Sequence, residues 1–164
     1  MTLALAACSA GPPSPPPSDN RAEIAQPLDL TGHEACDLVG PAALTRLSLK
    51  LDSVERGSGP TATSCAWRSA DGTVGLQLVA NSGVGLDRLS SVTAAFEEET
   101  PLVVSGYPGL RIDHLGGPTC RIAVGVAPTQ LISAEASELS TSAPPLCDLA
   151  QALAEETVAA LRGV

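Results

Sequence analysis

The sequence predicts an α+β domain: a mainly antiparallel sheet covered by a short N-terminal helix, a central helix and a C-terminal helix, and braced by two disulfides. Three observations point there. Apolar residues alternate in short runs such as Val74, Leu76 and Leu78, separated by hairpin-length turns. Apolar residues recur at helical spacing in a central and a C-terminal segment. Cys36, Cys65, Cys120 and Cys147 are spread through the same region with no C-x-x-C pair among them.

Taken in order, Cys36-Asp37-Leu38-Val39 leads into Gly40-Pro41-Ala42-Ala43-Leu44, where a first-turn proline and the Ala/Leu run predict the short helix. Leu38, Leu44 and Leu47 are expected to share one core. Strands follow at Ser64–Arg68 and Thr73–Ala80, joined through Asp71-Gly72, a strong hairpin signal. Leu86, Leu89, Thr93 and Phe96 predict an amphipathic helix from Leu86 to Glu98, closed by Pro101. Further strands are predicted at Leu102–Ser105, Leu110–Asp113, Cys120–Ala127 and Leu131–Ala134, broken by Gly106, Pro108, Gly116-Gly117-Pro118 and Pro128. The last helix runs from Leu146 to Arg162, with Asp148 in its first turn, Arg162 in its last and Gly163 beyond it.

Strand alternation puts Cys65 with Trp67 on one face, and Cys120 with Ile122, Val124 and Val126, so both cysteines should point inward. His33 and His114 are not at metal-ligand intervals, which makes zinc a poor fit and two structural disulfides the better one. Four cysteines allow three pairings. Cys36–Cys65 with Cys120–Cys147 closes two loops of similar length and is preferred; the nested Cys36–Cys147 with Cys65–Cys120 stands as its rival. Only Phe96, Trp67 and Tyr107 are aromatic, so aliphatic side chains must fill the core and cross-links are a useful supplement.

At the N-terminus, Leu5-Ala6-Ala7-Cys8 has the aliphatic–small–small–cysteine pattern of bacterial lipoprotein signal peptides, in which the thiol receives a diacylglyceryl group. The segment before it lacks a positively charged start and a full apolar stretch, so Met1 is expected not to be the true start. Gly11 to Ser18, Gly-Pro-Pro-Ser-Pro-Pro-Pro-Ser, lacks the donors and apolar surface to fold and reads as a polyproline tether. The expected organisation is a signal-peptide remnant at 1–7, a lipidated Cys8 with its tether at 8–30, and one domain at 31–164.

A formal charge of −9 argues against nucleic-acid binding, which needs a Lys/Arg surplus on one face. The same acidity keeps the domain off anionic lipid, so membrane attachment should be covalent rather than electrostatic.

These residues resemble a known family, the actinobacterial secreted lipoproteins of domain-of-unknown-function family 3558. The likeness lies in the order of five short motifs: Cys36 to Leu44, Cys65 to Trp67, Gly106 to Leu110, Cys120 to Val124, and Pro145 to Ala154. Val39, Gly40, Gly109 and Pro145-Leu146-Cys147 depart from the usual pattern, and no cysteine is lost. The resemblance implies a cell-membrane lipoprotein of unknown activity on the extracytoplasmic face, with a small α+β domain. It transfers no catalytic residue.

Other chemistry is poorly supported. Ser105, Asp113 and His114 could approach one another in a hairpin, but Asp113 and His114 are sequence neighbours and face opposite sides of a strand, and there is no G-x-S-x-G elbow. Glu97-Glu98-Glu99 reads as a solvated helix end rather than a cation site, Trp67 as a core ring beside a disulfide, and Gly83-Val84-Gly85 as a loop. The expectation is a non-catalytic binding module without metal or cofactor. Its partner would be an envelope protein, a glycan or a small apolar ligand held between sheet and helix. The alternative is an accessory lipoprotein of a membrane complex or sensor, and an envelope hydrolase is the remote third.

Overall fold

The computed structural model describes residues 23–94, 97–113, 118–140 and 145–163; Cys8, the Pro/Ser tract, Phe96 and His114 lie outside them. Seven strands form one antiparallel sheet: β1 (Glu55–Ser58), β2 (Ala62–Arg68), β3 (Val74–Asn81), β4 (Glu98–Val104), β5 (Tyr107–Asp113), β6 (Thr119–Ala127) and β7 (Gln130–Glu138). Their spatial order is β1-β2-β3-β7-β6-β5-β4, so two meanders meet where β3 pairs with β7. Three helices, α1 (Pro41–Arg46), α2 (Leu86–Thr93) and α3 (Leu146–Arg162), complete the α+β architecture.

The inner face of the sheet carries the main core. Cross-strand partners share a face, and the register sets Arg111, Ile122, Ala134, Leu78 and Cys65 in one row across five strands. The row of Trp67, Leu76, Ala136 and Cys120 lies beside it. Across this face lies α3, whose buried Ala150, Leu153, Ala154, Thr157 and Val158 follow the i, i+3, i+4 spacing of one helical stripe. Thr157 is completely buried and remains satisfied because its hydroxyl donates to the Leu153 carbonyl at 2.7 Å. Gly163 ends the helix in the left-handed conformation (φ 73°). Leu38, Leu44 and Leu47 join the same core.

Both disulfides are present in the preferred pairing. Cys36–Cys65 fastens a 3-10 turn at Ala35–Leu38 to β2, and Cys120–Cys147 fastens β6 to the first turn of α3, with Cα–Cα distances of 5.0 and 5.1 Å. Trp67 is 2% exposed, beside the fully buried Cys65.

The central region departs from the sequence expectation. The central helix ends at Thr93, not Glu98, and Glu98 opens β4. Seven consecutive pairs from Glu98↔Asp113 to Val104↔Tyr107 outweigh the local preference of a short amphipathic segment. Pro101 does not close the helix; it lies within β4, the outer strand, where a missing N–H can face away from the ladder. Nor does Pro108 break a strand. Ser105 and Gly106, both at positive φ (49° and 86°), make a two-residue type I′ turn, and Pro108 falls just before the β5–β6 ladder begins at Gly109. β1 was not anticipated, because Glu55-Arg56-Gly57-Ser58 has no apolar alternation to reveal it.

The chain also engages the core before residue 31. Ile24 and Leu28 pack against it, and Leu30 is buried. The Tyr107 hydroxyl donates to the Gln26 carbonyl at 2.8 Å, the Leu28 N–H to Val126 at 2.9 Å, and the Leu30 N–H to the Gln130 side chain at 2.6 Å.

Replacing Cys36 and Cys65 together with Ala should lower the unfolding free energy by about 3–4 kcal/mol, the chain-entropy value for a loop of this size. Denaturant unfolding under non-reducing conditions measures it. A loss below about 1 kcal/mol would mean that the 3-10 turn is held by packing alone.

Candidate functional site

On the outer face of the sheet α2 covers only part of the surface. Leu86 and Leu89 pack over Leu110, Ile112 and Ala123. The helix approaches closely because Gly85 precedes it: a Cβ there would lie 2.0 Å from the Pro128 carbonyl oxygen. Glu99 reaches back from β4 to accept hydrogen bonds from the Ser90 hydroxyl at 2.6 Å and from the Thr93 hydroxyl. The triplet Glu97-Glu98-Glu99 is therefore not a solvated helix end. Glu98 is exposed, whereas Glu97 and Glu99 are half-buried, and Glu97 sits 3.9 Å from Arg121. Arg121 is also paired with Glu135 at 2.8 Å. Beyond α2 the face is uncovered by any of the described residues, and it holds two shallow hollows of 220 and 240 Å³ that meet at Gln77 and Glu135.

The largest hollow described is elsewhere, a 450 Å³ pocket between α1, the β2–β3 turn and the N-terminal half of α3. Its apolar wall comes from Leu47, Leu76, Leu149 and Ala152, and exposed Arg46 and Asp71 stand at its edge. Each is placed by a local cause. Leu47 caps α1 with its N–H bonded to the Ala43 carbonyl, and Ser48 turns the chain at φ 53°, so that Lys50 can bond back to Arg68 at 2.9 Å. Leu149 and Ala152 lie next to the buried stripe of α3, half-buried where that stripe ends.

The charges at the edge are fixed. The Arg46 Nε and Nη2 groups donate to the two carboxylate oxygens of Glu156 at 2.8 and 2.6 Å. That bidentate bond raises the guanidinium and lowers the carboxyl from their ordinary values. Asp71 is held down to about 2, first by the Ser69 hydroxyl and then by the N–H and hydroxyl of Thr73. All three of those bonds, at 2.6, 3.0 and 2.9 Å, fall on Asp71 Oδ1.

The residues singled out by sequence distribute differently. Ser105 sits in the β4–β5 turn and Asp113 at the far end of β5, about 20 Å of strand away, so the two cannot share a reacting centre. Asp113 is instead paired with Arg111 at 3.0 Å. Its carboxylate lies near the sulfurs of Cys120 and Cys147, a grouping with metal-site dimensions, but those sulfurs are bonded to each other and offer no thiolate. His33 is exposed in the loop before the first 3-10 turn. Sequence reading missed the pocket. Ser69-Ala70-Asp71-Gly72 registered only as a turn, and nothing local links it to Leu149 or Ala152.

The chain matches the family model described as "Protein of unknown function (DUF3558)" over residues 3–160. No curated protein matches it. Among solved structures it is similar to the crystal structure of a GTP binding regulator from Thermotoga maritima, at 9% sequence identity and a TM-score of 0.45, covering 84% of this chain and 91% of that one.

Asp71 makes a pH prediction. Its folded value, about 2, lies below the ordinary 3.8, so its stabilising contribution is present above about pH 4 and is lost as pH falls through 2. Asp71→Asn should flatten the decline in the urea midpoint between pH 4 and pH 2 relative to the parent. An identical decline would show that the turn network does not couple to folding.

Proposed function

Because the chain belongs to the DUF3558 family, whose members are described only as proteins of unknown function, we propose a role from its own residues: a non-catalytic binding module, lipid-anchored through Cys8 on the extracytoplasmic face of an actinobacterial cell membrane. The single observation that carries the binding role is the 450 Å³ pocket, which falls within the usual range for small-molecule sites and sets an apolar wall against a polar edge of Arg46, Ser48, Ser69, Asp71 and Thr73. The ligand class that fits is a small molecule with an apolar body.

The location rests on cysteine usage. Cys36, Cys65, Cys120 and Cys147 are consumed in two disulfides, the chemistry of an oxidising compartment, and Cys8 is left over directly after Leu5-Ala6-Ala7. Its thiol accepts the diacylglyceryl group, and the Pro/Ser tract from Gly11 to Ser18 spaces the domain from the bilayer. A single anchored cysteine suits an acidic domain that anionic lipid would repel.

Cys8→Ala should abolish labelling by a clickable palmitate analogue and move the protein from the membrane fraction to the soluble fraction of an expressing actinobacterial host. Membrane retention and labelling equal to the parent would overturn the anchor.

A further inference from the structure

We propose that the pocket between α1, the β2–β3 turn and α3 takes a small cationic amphiphile, its apolar body against Leu47, Leu76, Leu149 and Ala152 and its ammonium or amidinium end at Asp71 Oδ2. The inference rests on the binding role assigned to this pocket and adds the charge of the ligand.

The charge follows from counting what the mouth offers. Arg46 is the cation at the edge, and the carboxylate of Glu156, which stands outside the lining, engages its Nε and Nη2 and neutralises its charge, which weakens its pull on an anion. Arg46 and Glu156 cancel, and Asp71 leaves the mouth with one net negative charge. The three hydrogen bonds from Ser69 and Thr73 to Asp71 Oδ1 keep the carboxylate ionised and fix its orientation, and the acceptor capacity of Oδ2 is left for a partner from outside the turn. The wider field has the same sign, since the whole chain carries −9. An inorganic cation is a poor occupant, because Asp71 is the one carboxylate among the described residues of the lining and Leu47, Leu76, Leu149 and Ala152 add no oxygen ligands to it. The lining favours an aliphatic body over a flat aromatic one, as among the described residues no aromatic ring lines the pocket to stack on it.

Three decyl amphiphiles with the same tail test this on the full chain carrying Cys8→Ser: decylammonium, whose primary ammonium can donate to Oδ2, decyl maltoside and decyl sulfate, each titrated calorimetrically below its micelle concentration. The ammonium compound should bind about five times more tightly than the maltoside, the scale of a surface ion pair, and the sulfate most weakly. Asp71→Asn keeps an acceptor oxygen for the turn and should remove the fivefold preference of ammonium over maltoside. Ala152→Phe fills the pocket and should abolish saturable binding of all three, which separates the site from general adhesion to an acidic protein. Unfolding midpoints of both variants confirm that they are folded. Equal affinity for ammonium and maltoside, or a preference that survives Asp71→Asn, overturns the cationic assignment and leaves the pocket a binding site. No saturable binding of any compound, or binding unaffected by Ala152→Phe, overturns the binding role with it.

Discussion

The seat of α3 on the inner face of the sheet is the constraint from which most of the structure follows. With few aromatic rings, the core must be made from small aliphatic side chains, and these fill space only when a long, regular surface meets another. Ala150, Leu153, Ala154 and Val158 provide that surface, and Ile122, Val124, Ile132 and Ala134 receive it. Alanine at two of the four helix positions lets the helix backbone come close to the strands, so packing substitutes for bulk. The Cys120–Cys147 bond holds the first turn of the helix to β6.

Once α3 is seated, the rest of the inner face has to be covered by shorter pieces. The 3-10 turn at Ala35–Leu38 and α1 do this, and both are too short to be stable as isolated helices. They are held by Cys36–Cys65 and by Leu38 and Leu44 in the core. The junction between a long helix and a six-residue one cannot be filled completely by either. The pocket opens at that junction, so it is a by-product of how the sheet is covered, and the turn beside it supplies the one oriented carboxylate.

How much of this was legible in the sequence depended on whether the decisive signal was local. The ends of α3 could be read from Asp148, Arg162 and Gly163, and its buried face from the spacing of its apolar residues. The hairpin at Asp71-Gly72 and the inward set of Cys65, Trp67, Cys120 and Ile122 were equally plain. The disulfide pairing was narrowed to two choices, and only the register could decide between them. The region from Glu98 to Pro108 was misread because proline is a strong local signal that tertiary position can silence: Pro101 lies on the outer strand, and Pro108 pairs with β4 just before the β5–β6 ladder begins. β1 carries no apolar pattern, since it covers nothing. The pocket could not be read at all, for it joins residues near 47, 71 and 150 that only the folded chain brings together.

The clasp between Tyr107 and Gln26 gives the molecule a direction. Arg162 stacks over the same tyrosine ring at 5.0 Å and donates to the Ser105 carbonyl at 2.7 Å, so the N-terminal chain is gripped beside the last residue of α3. Leu149 and the pocket belong to the opposite half of that helix, about 20 Å away along its axis. The grip on Gln26 and the mouth of the pocket therefore sit toward opposite ends of α3, so a ligand entering the pocket and the chain arriving at Gln26 do not compete for the same surface.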